Sequence, residues 1–530
     1  MHNGAYPFVW PRDAAWAAIT LARSGFVAEA KEIVRFLRDI TYRDVEGWGR
    51  KGFWKQKYTT DGYTIWSNPQ VDETSCFPWA TRFIFDVEGD LGFLSLNYDE
   101  VYEAALASSQ DSTVDGQLRY EDSVDLMFSM NLWEDTFDVT NYANASVIRG
   151  LEDAAAIADV LDQNVCPGGP GTCGYHADKA LFNARASDIR GGLDARLAWN
   201  GENTDISQVG ITYPFGIYPP GHARIELILD RINGVATDTF GQNHPLMNFS
   251  GEFQDLVNRY WGDGYWAGGP WFLSTLWYGA YYAVRQDITP GTADIDNHKF
   301  RIDLLMDRTG PMGFGAEQIA PTSALLYPGQ SDYQLQTAYP NAWESMSFLT
   351  DAVMLFLDYR PDAFANTLRV RPKLPAAWPY MEYDNLALGA GRFDVRVESL
   401  TEKAVHRFTN RTGAAAGFDT VVRIPAGQNP CTVLVNGTPV PYVADTGIGA
   451  VAVSGALATG ANATTTVAVW LFHPADLNNS GSVNAADFTI LAGNFGASGA
   501  TRAQGDINGD GLVNAADFTI LAGVFGLSCP

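Results

Sequence analysis

The chain has 530 residues, with 35 Lys and Arg against 61 Asp and Glu, so its formal net charge is −26. This charge repels phosphate backbones and anionic membranes, and nucleic acid is therefore excluded as an expected partner. The length and a hydrophobic share of 46% suffice for several packed domains. The sequence contains no apolar run of about 18 residues, so it predicts no membrane span.

The first two thirds of the chain are predicted to be helical. Residues 13–23 have apolar side chains at helical spacing, Gly25 is a stop signal, and residues 26–40 continue with the same period. The pattern recurs in the segments 145–161, 177–197, 222–232, 271–285, 300–306 and 343–357. Paired helices without a fixed sequence period favour an α/α toroid over a simple repeat array.

Two acidic segments in the loops of this region suggest a pair of catalytic carboxyl groups. Trp133-Glu134-Asp135 places a carboxyl group beside an indole, and Glu317-Gln318 supplies a second acid far downstream. A carboxyl group packed against an aromatic face loses hydration, which raises its pKa and suits it to donate a proton. Glycoside hydrolysis needs one such acid and a second carboxylate that activates water. The alternative is a core tryptophan beside a solvated acid, so the interpretation depends on the other motifs.

The sequence pattern changes at about Asn366, where apolar and polar residues begin to alternate. The alternating segments are 368–372, 393–398, 405–408, 420–424, 432–435, 451–453 and 465–472, with Gly, Asn and Pro turns between them. Such segments predict half-buried strands and, together, a β-sandwich. Its role is either support of the helical domain or separate glycan binding.

The last segment is duplicated, so that the stretch beginning at Asp476 returns at Asp506. Each copy has oxygen-bearing residues at the spacing of a calcium loop, a Gly at the sharp turn and an apolar helix afterwards. The alternative, a surface turn rich in Asp, Asn and Gly, would suit one copy better than two. The predicted ligands are Asp476, Asn478, Ser480, Ser482, Asn484 and Asp487 in the first loop, and Asp506, Asn508, Asp510, Leu512, Asn514 and Asp517 in the second. The first loop has fewer carboxylates, which predicts weaker binding there.

Most of residues 6–345 resembles glycoside hydrolase family 15, the glucoamylases, in five segments that occur in the family's order. These segments are Tyr6 with Trp10-Pro11-Arg12-Asp13, Trp66-Ser67-Asn68-Pro69-Gln70-Val71-Asp72, Trp133-Glu134-Asp135, Arg259-Tyr260-Trp261-Gly262-Asp263 with Pro270-Trp271, and Glu317-Gln318 with Trp343. The resemblance implies an (α/α)6 barrel whose cleft receives the non-reducing end of a starch-like α-glucan. It also implies inverting hydrolysis that releases β-glucose, with Glu134 as general acid and Glu317 as general base. The two carboxyl groups of an inverting enzyme stand roughly 6.5–9.5 Å apart.

The same resemblance implies that catalysis needs no cofactor. It also implies a set of substrate-binding residues. They are Tyr6, Trp10, Arg12, Asp13, Trp66, Trp133, Asp135, Arg259, Asp263, Trp271 and Gln318. Two positions depart from the family, since Asp135 stands where a Glu is common and Asn131 where an Asp is usual. Both departures bear on specificity, so an α-glucosidase for another linkage, such as that of trehalose or dextran, stays open. A phosphorylase on the same barrel is less favoured, because Glu317 would have no task.

The duplicated segment resembles a dockerin, a calcium-dependent module that docks on a cohesin domain. The resemblance implies structural Ca²⁺, a cohesin-type protein partner and an extracellular or cell-surface location. Dockerins often use loop positions 10 and 11 for recognition, and both copies have Ala-Ala there, so the sequence does not identify the partner. A further alternative is a non-catalytic glycan-binding component of an extracellular assembly.

The predicted organisation is mainly α, with three domains. Residues 1–362 form the (α/α)6-barrel glycosidase domain, residues 363–473 the β-sandwich, and residues 474–530 the dockerin-like pair of calcium-loop helices. The family's barrel has a helix before the Trp-Pro-Arg-Asp loop, whereas only a few residues precede it here. We therefore expect a barrel that lacks its first helix if the chain begins at Met1, and a longer gene product. Met1-His2-Asn3-Gly4 does not form a signal peptide.

Overall fold

The structure is a computed structural model. It describes residues 8–41, 52–109, 119–121, 124–196, 203–238, 240–265, 268–309, 313–319 and 341–529. The chain divides into two compact units. The first comprises Met1–Asp287, Asp294–Leu355 and Asp362–Ala365, and the second comprises Ile288–Ala293, Phe356–Pro361 and Asn366–Pro530.

The first unit is mainly helical, as predicted. Its α-helices are α1 (Pro11–Arg23), α2 (Val27–Ile40), α3 (Val71–Glu88), α4 (Leu91–Ala107), α5 (Asn141–Asn164), α6 (Tyr175–Arg196), α7 (Ala223–Ile232), α8 (Phe272–Arg285), α9 (Ala293–Met306) and α10 (Asp351–Met354). A 3₁₀ helix (Ile206–Ile211) precedes α7, and a π helix (Trp343–Thr350) continues directly into α10. Two small sheets contain β1 (Phe8–Val9), β2 (Lys55–Thr59) and β3 (Thr64–Pro69), and β4 (Arg119–Glu121), β5 (Leu126–Met130) and β6 (Phe137–Asp138).

Within the described residues, six helical elements of this unit form a closed ring. In order around the ring they are α1, α3, α5, the 3₁₀ helix, α8 and the π helix, and the π helix contacts α1 again. The ring helices α3 and α8 are buried along most of their length, whereas α2 and α6 bury a smaller part of their residues. Helices α2, α4, α6 and α7 contact members of the ring. This alternation of buried ring helices with more exposed partners confirms the predicted α/α arrangement.

Aromatic side chains fill the centre of the ring. The Trp16 ring of α1 lies 5.6 Å from that of Trp79 on α3, 5.9 Å from Trp277 on α8 and 4.6 Å from Phe348 on the π helix. Edge-to-face and tilted pairs of this kind are the preferred arrangements of buried rings. The centre of the ring of helices is therefore a packed core.

Helices α3 and α4 were not among the predicted helical segments. Helix α3 contains Pro78 and buries residues on all its sides, so its sequence has little amphipathic contrast. A helix of this kind gives a weak periodic signal, because the pattern depends on one exposed face.

The second unit is rich in β-strands, as predicted. Its strands are β7 (Tyr359–Asp362), β8 (Thr367–Val370), β9 (Tyr380–Leu388), β10 (Gly391–Ser399), β11 (Lys403–Asn410), β12 (Gly417–Arg423), β13 (Thr432–Val435), β14 (Thr438–Pro439), β15 (Val443–Asp445), β16 (Ala450–Ala456) and β17 (Ala463–Trp470). One sheet has the order β14-β13-β17-β11-β10-β9 and the other β15-β16-β12-β8-β7. The sheets meet where the Phe408 and Phe418 rings stack at 5.3 Å, and where His406 and Thr420 are hydrogen-bonded at 2.8 Å.

Two short helices, α11 (Ala485–Gly493) and α12 (Ala515–Gly523), follow the sheets. Each begins at an asparagine cap, Asn484 or Asn514, and they share a small core that includes Leu491 and Leu521. A disulfide between Cys431 and Cys529 joins the end of this segment to the start of β13. A second disulfide, in the first unit, joins Cys166 and Cys173. No helix in the described parts of the chain is long and apolar enough to cross a membrane.

Candidate active site

The predicted site residues share a place in the chain, because they lie in the segments that lead into ring helices. Trp10 directly precedes α1, Trp66 lies before α3, Glu134 before α5, Arg259 before α8 and Glu317 before the π helix. When ring helices alternate with antiparallel outer partners, their N-terminal ends lie at one end of the ring. The topology therefore gathers residues that are far apart in sequence.

A cavity of about 810 Å³ brings most of the predicted residues together. Its lining includes Trp10, Arg12, Asp13, Trp66, Trp133, Glu134, Asp135, Arg259, Trp271 and Glu317. Asp263 and Gln318 hold lining residues in place, through Arg259 and Tyr265. Tyr6 lies outside the described residues.

Glu134 is held in a shielded position in this cavity. Burial raises the pKa of its carboxyl group, while Arg12, the Gln56 and Trp10 hydrogen bonds and Lys57 act to lower it. The indole Nε1 of Trp10 donates to Glu134 Oε1 at 2.7 Å. The backbone of Glu134 has a φ of 65°, a left-handed conformation that is uncommon for non-glycine residues and clusters at functional sites. A carboxyl group with a raised pKa keeps its proton to higher pH, which suits a general acid.

Glu317 is positioned by the loop that carries Arg259. The hydroxyl group of Tyr265 donates to Glu317 Oε2 at 3.1 Å. Gln318 is fully buried, and its Nε2 donates to the backbone carbonyl of Tyr265 at 2.9 Å. Gln318 therefore acts on the site through the backbone that places the Tyr265 hydroxyl.

Arg12 is a buried cation surrounded by carboxyl groups. Its Nη1 lies 3.1 Å from Asp72 Oδ2 and 3.4 Å from Glu73 Oε1, and its Nε donates to Asp13 at 3.1 Å. Burial raises the pKa of Asp13 to about 7; Arg12 opposes this shift and the nearby Glu134 adds to it. Burial also raises the pKa of Glu73 well above its usual range. The negative charge of the cluster is thereby reduced near neutral pH.

Arg259 is the second buried cation of the site. Its Nε and Nη2 form two parallel bonds with the Asp263 carboxylate, at 2.8 and 2.7 Å. The guanidinium carbon lies 4.1 Å from the centre of the Trp271 ring and 5.0 Å from that of Trp133. A bidentate carboxylate and aromatic faces fix the plane of the guanidinium, which leaves little freedom for this side chain.

Asn131 and Asp135, the two positions at which the sequence differs from the glucoamylase pattern, contact each other. Asn131 Nδ2 donates to Asp135 Oδ1 at 2.6 Å, and Asp135 N donates back to Asn131 Oδ1 at 3.1 Å. The hydroxyl group of Tyr260 donates to Asp135 Oδ2 at 2.7 Å. Asp135 is thus an exposed, hydrogen-bonded acid on the cavity wall, and an amide at position 131 supplies the donor that a second carboxylate there would lack.

Several residues of the site were not predicted from the sequence. Burial raises the pKa of Asp205 to about 6, and its Oδ2 accepts from Trp133 Nε1 at 2.6 Å. Lys57 is buried, and its Nζ lies 3.2 Å from the centre of the Trp66 ring. The cap position of Asp205 before Ile206 was a readable signal, whereas the place of Lys57 depends on the β2–β3 hairpin.

Glu344 is a further carboxyl group of the site that was not predicted. It is fully buried in the first turn of the π helix, and its two oxygens have no hydrogen bond of good geometry within the described residues. Burial raises its pKa well above the usual range; Glu317 and Asp13 add to the shift, and the backbone N–H of Leu273 opposes it. Glu344 is therefore protonated in the folded protein at a pH where an exposed Glu is ionised.

The protonation of Glu344 predicts a pH dependence of stability. The pKa of Glu344 is higher in the folded protein than in the unfolded chain. Above a pH of about 4.3, the unfolded chain therefore binds fewer protons than the folded protein does. The free energy of unfolding then falls as pH rises from that value toward the folded-state pKa, by up to about 1.4 kcal/mol per pH unit. Glu344→Gln should remove this contribution, so its stability relative to the parent increases from pH 4 to 7 in urea unfolding followed by tryptophan fluorescence. Glu29→Gln, at an exposed position of α2, is the control. Parallel pH curves for the parent and Glu344→Gln would contradict the assignment.

The duplicated loops form two similar oxygen-rich turns. In the first, buried Asp476 accepts from the N–H groups of Ser480 and Gly481, and buried Asp487 from that of Asn484. In the second loop, Asp506 and Asp517 occupy the same places and accept from Asp510 N, Gly511 N and Asn514 N. The loops thus hold their first and last carboxylates in matching positions.

Asp510 is the third carboxylate of the second loop. It accepts from Leu512 N–H at 2.8 Å and from the Asn508 amide at 2.9 Å. Within the described residues, no group of three His, Cys, Asp or Glu side chains has metal-binding geometry. In each loop, amide, hydroxyl and carbonyl oxygens would supplement the carboxylates, and such a donor set suits calcium, a hard cation.

Known proteins resemble both the C-terminal segment and the larger remainder of the chain. Residues 474–524 match the family model of the dockerin type I domain, which confirms the prediction for this segment. A protein from Methanocaldococcus jannaschii described as an uncharacterized glycosyl hydrolase is 22% identical over 286 residues. The match covers 52% of this chain and 40% of that relative, so the chain spans less than half of the relative's length.

Several solved structures similar to the chain are glycosidases. An α-L-rhamnosidase from Streptomyces avermitilis, complexed with L-rhamnose, has a TM-score of 0.52 at 16% identity and covers 87% of this chain and 38% of its own. At this identity the likeness concerns the fold. A bacterial glucoamylase complexed with acarbose has a TM-score of 0.45 at 17% identity, over 67% of this chain and 50% of its own.

Proposed function

We propose that the helical unit is an exo-acting, inverting α-glucosidase of glucoamylase type. It releases β-D-glucose from the non-reducing ends of starch-like α-glucans. The observation that carries the proposal is a single cavity lined by the shielded acid Glu134, the second carboxyl group Glu317 and two buried arginines. The relative from Methanocaldococcus jannaschii, which is described as a glycosyl hydrolase, supports a glycoside hydrolase function, and so does the fold shared with the α-L-rhamnosidase.

The chemistry divides between the two carboxyl groups. Glu134 enters the reaction protonated and gives its proton to the glycosidic oxygen, so that the leaving sugar departs as an alcohol. Glu317 accepts a proton from a water molecule that attacks the anomeric carbon from the opposite face. The attacking water inverts the configuration, and the Glu317–Glu134 separation should lie in the range of roughly 6.5–9.5 Å that accommodates it.

The buried cations of the cavity bind and orient the substrate. Arg12, with Asp13, and Arg259 are held before substrate arrives by carboxylates and aromatic faces. Charge-assisted hydrogen bonds from such preorganised groups fix sugar hydroxyl groups at a low entropic cost. Trp10, Trp66, Trp133 and Trp271 supply the flat apolar walls of the cavity.

Substrate profiling tests this function. The protein is incubated with maltooligosaccharides, starch, dextran and trehalose, and glucose release is measured for each. Glucose release from starch and maltooligosaccharides, in preference to the other two substrates, is the expected result. Preference for dextran or trehalose would instead assign another linkage, and no hydrolysis of any of the four would favour a glycan-binding component.

The C-terminal module supplies Ca²⁺ sites and a docking surface for a cohesin-type protein, which places the enzyme in an extracellular assembly. The dockerin match and the paired oxygen-rich loops support this part of the proposal. The metal would be structural, since it lies in loops that cap α11 and α12. Catalysis itself requires no cofactor in this proposal.

Calcium titration of the intact chain should reveal two sites of unequal affinity. The loop at Asp476 has fewer acids than the loop at Asp506, so it should bind roughly tenfold or more weakly, because ligand charge tunes calcium affinity. Asp506→Ala should remove the tighter site in calorimetry, and Asp476→Ala the weaker one. Equal affinities, or loss of the tighter site in Asp476→Ala, would contradict this order.

A further inference from the structure

An exposed tryptophan in the segment between Arg259 and Asp263 is held on a histidine. The ring of His244 stacks on that of Trp261, with the ring centres 3.8 Å apart and the planes inclined by 16°. Although Trp261 is stacked in this way, its exposed fraction is 61%. One face of the indole is therefore fixed against His244, and the opposite face and the ring edge account for its exposed surface.

The histidine is itself anchored. Its Nδ1 lies 2.9 Å from Asp238 Oδ2, and the other oxygen of Asp238 accepts from the backbone N–H groups of Phe240 and Gln242, each at 2.8 Å. Asp238 is buried. These contacts fix the orientation of the imidazole, and the imidazole in turn fixes the indole that stacks on it. Folding does not require an exposed aromatic ring to be fixed in this way.

The segment that carries the supported indole also contributes to the cavity. Trp261 directly follows Tyr260, whose hydroxyl group donates to the cavity residue Asp135, and Arg259 before it lines the same cavity. Asp135 lies one residue beyond the acid Glu134, which faces the leaving group in the proposed reaction. The Tyr260–Asp135 contact therefore ties the segment that carries Trp261 to the residue next to the proposed acid.

We infer that Trp261, supported by His244, is a stacking platform for the glucosyl units beyond the first leaving sugar. The inference rests on the proposed function and adds the recognition of chain length to it. The apolar face of a pyranose packs on an aromatic face, and a ring fixed in advance pays little conformational entropy on binding. The platform would raise kcat/KM for longer oligosaccharides relative to maltose, because maltose ends at the first leaving sugar and does not reach Trp261.

The test compares maltose with maltoheptaose. Trp261→Ala should lower kcat/KM for maltoheptaose about tenfold, the factor expected from one aromatic stacking contact, and leave kcat/KM for maltose unchanged. His244→Ala should lower the maltoheptaose value less, and His244→Phe should restore it, because a flat ring again supports the indole. Phe249→Ala removes a comparably exposed aromatic ring of the same segment, 60% exposed, and should change neither value.

The outcomes separate the platform from the function. If the parent hydrolyses both sugars and Trp261→Ala leaves the ratio of their kcat/KM values unchanged, the platform is wrong and the function stands. Equal losses for maltose and maltoheptaose would also overturn the platform, because they would place Trp261 at the reaction centre. If the parent hydrolyses neither sugar, the proposed function fails and the platform fails with it.

Discussion

Glu134→Gln should reduce hydrolysis of maltooligosaccharides by about 10²–10⁴-fold, since that is the usual contribution of a positioned general acid. Glutamine keeps the size of the side chain and its contact with Trp10, but has no proton of comparable acidity to give to the leaving oxygen. The loss should appear in kcat, because the arginines that hold the substrate are unchanged.

A substrate that needs no acid sharpens this prediction. α-D-Glucosyl fluoride loses fluoride without protonation of a glycosidic oxygen, so Glu134→Gln should hydrolyse it within roughly tenfold of the parent rate. Glu29→Gln on α2 is the control for a generic loss of charge and should behave as the parent. If Glu134→Gln keeps its activity on maltooligosaccharides, or loses it equally on the fluoride, Glu134 is not the acid.

Glu317→Gln should cause a loss of similar size, about 10²–10⁴-fold, but on both kinds of substrate. An amide does not take the proton from the attacking water, and every inverting reaction needs that water whatever the leaving group. The rates of glucose release from maltotriose and from α-D-glucosyl fluoride measure this directly.

The contrast between the two variants is the informative result. Tyr265→Phe removes the hydroxyl group that donates to Glu317 and should weaken both reactions to a smaller extent, because the carboxylate remains. Retention of fluoride hydrolysis by Glu317→Gln would be incompatible with its role as base. It would point to another carboxyl group of the cavity, of which Asp13 is the first candidate.

The helical and the strand-rich regions were readable from the sequence because they depend on local patterns. Helical periodicity, strand alternation and the duplicated loops are each confined to short stretches of sequence. The resemblance to the glucoamylases named Trp10, Glu134 and Arg259 as site residues, and the structure places all three in the lining of one cavity.

The residues that the sequence did not reveal depend on long-range packing. Glu344 lies in a segment that reads as an ordinary helix, and its burial beside Glu317 follows from closure of the ring by the π helix. Lys57 reaches the cavity only because β2 pairs with β3 and turns its ammonium group onto Trp66. The hydrogen bond between Asn131 and Asp135 is, by contrast, a local feature, since it joins two residues four positions apart.

The anomer of the first glucose released tests the central proposal most directly. The parent protein is mixed with maltotriose at high enzyme concentration, and the anomeric proton signals are followed by NMR before mutarotation equilibrates them. Direct attack of water, activated by Glu317 while Glu134 protonates the leaving group, predicts β-glucose as the initial product. Initial release of α-glucose would contradict the inverting mechanism and the roles proposed for both residues.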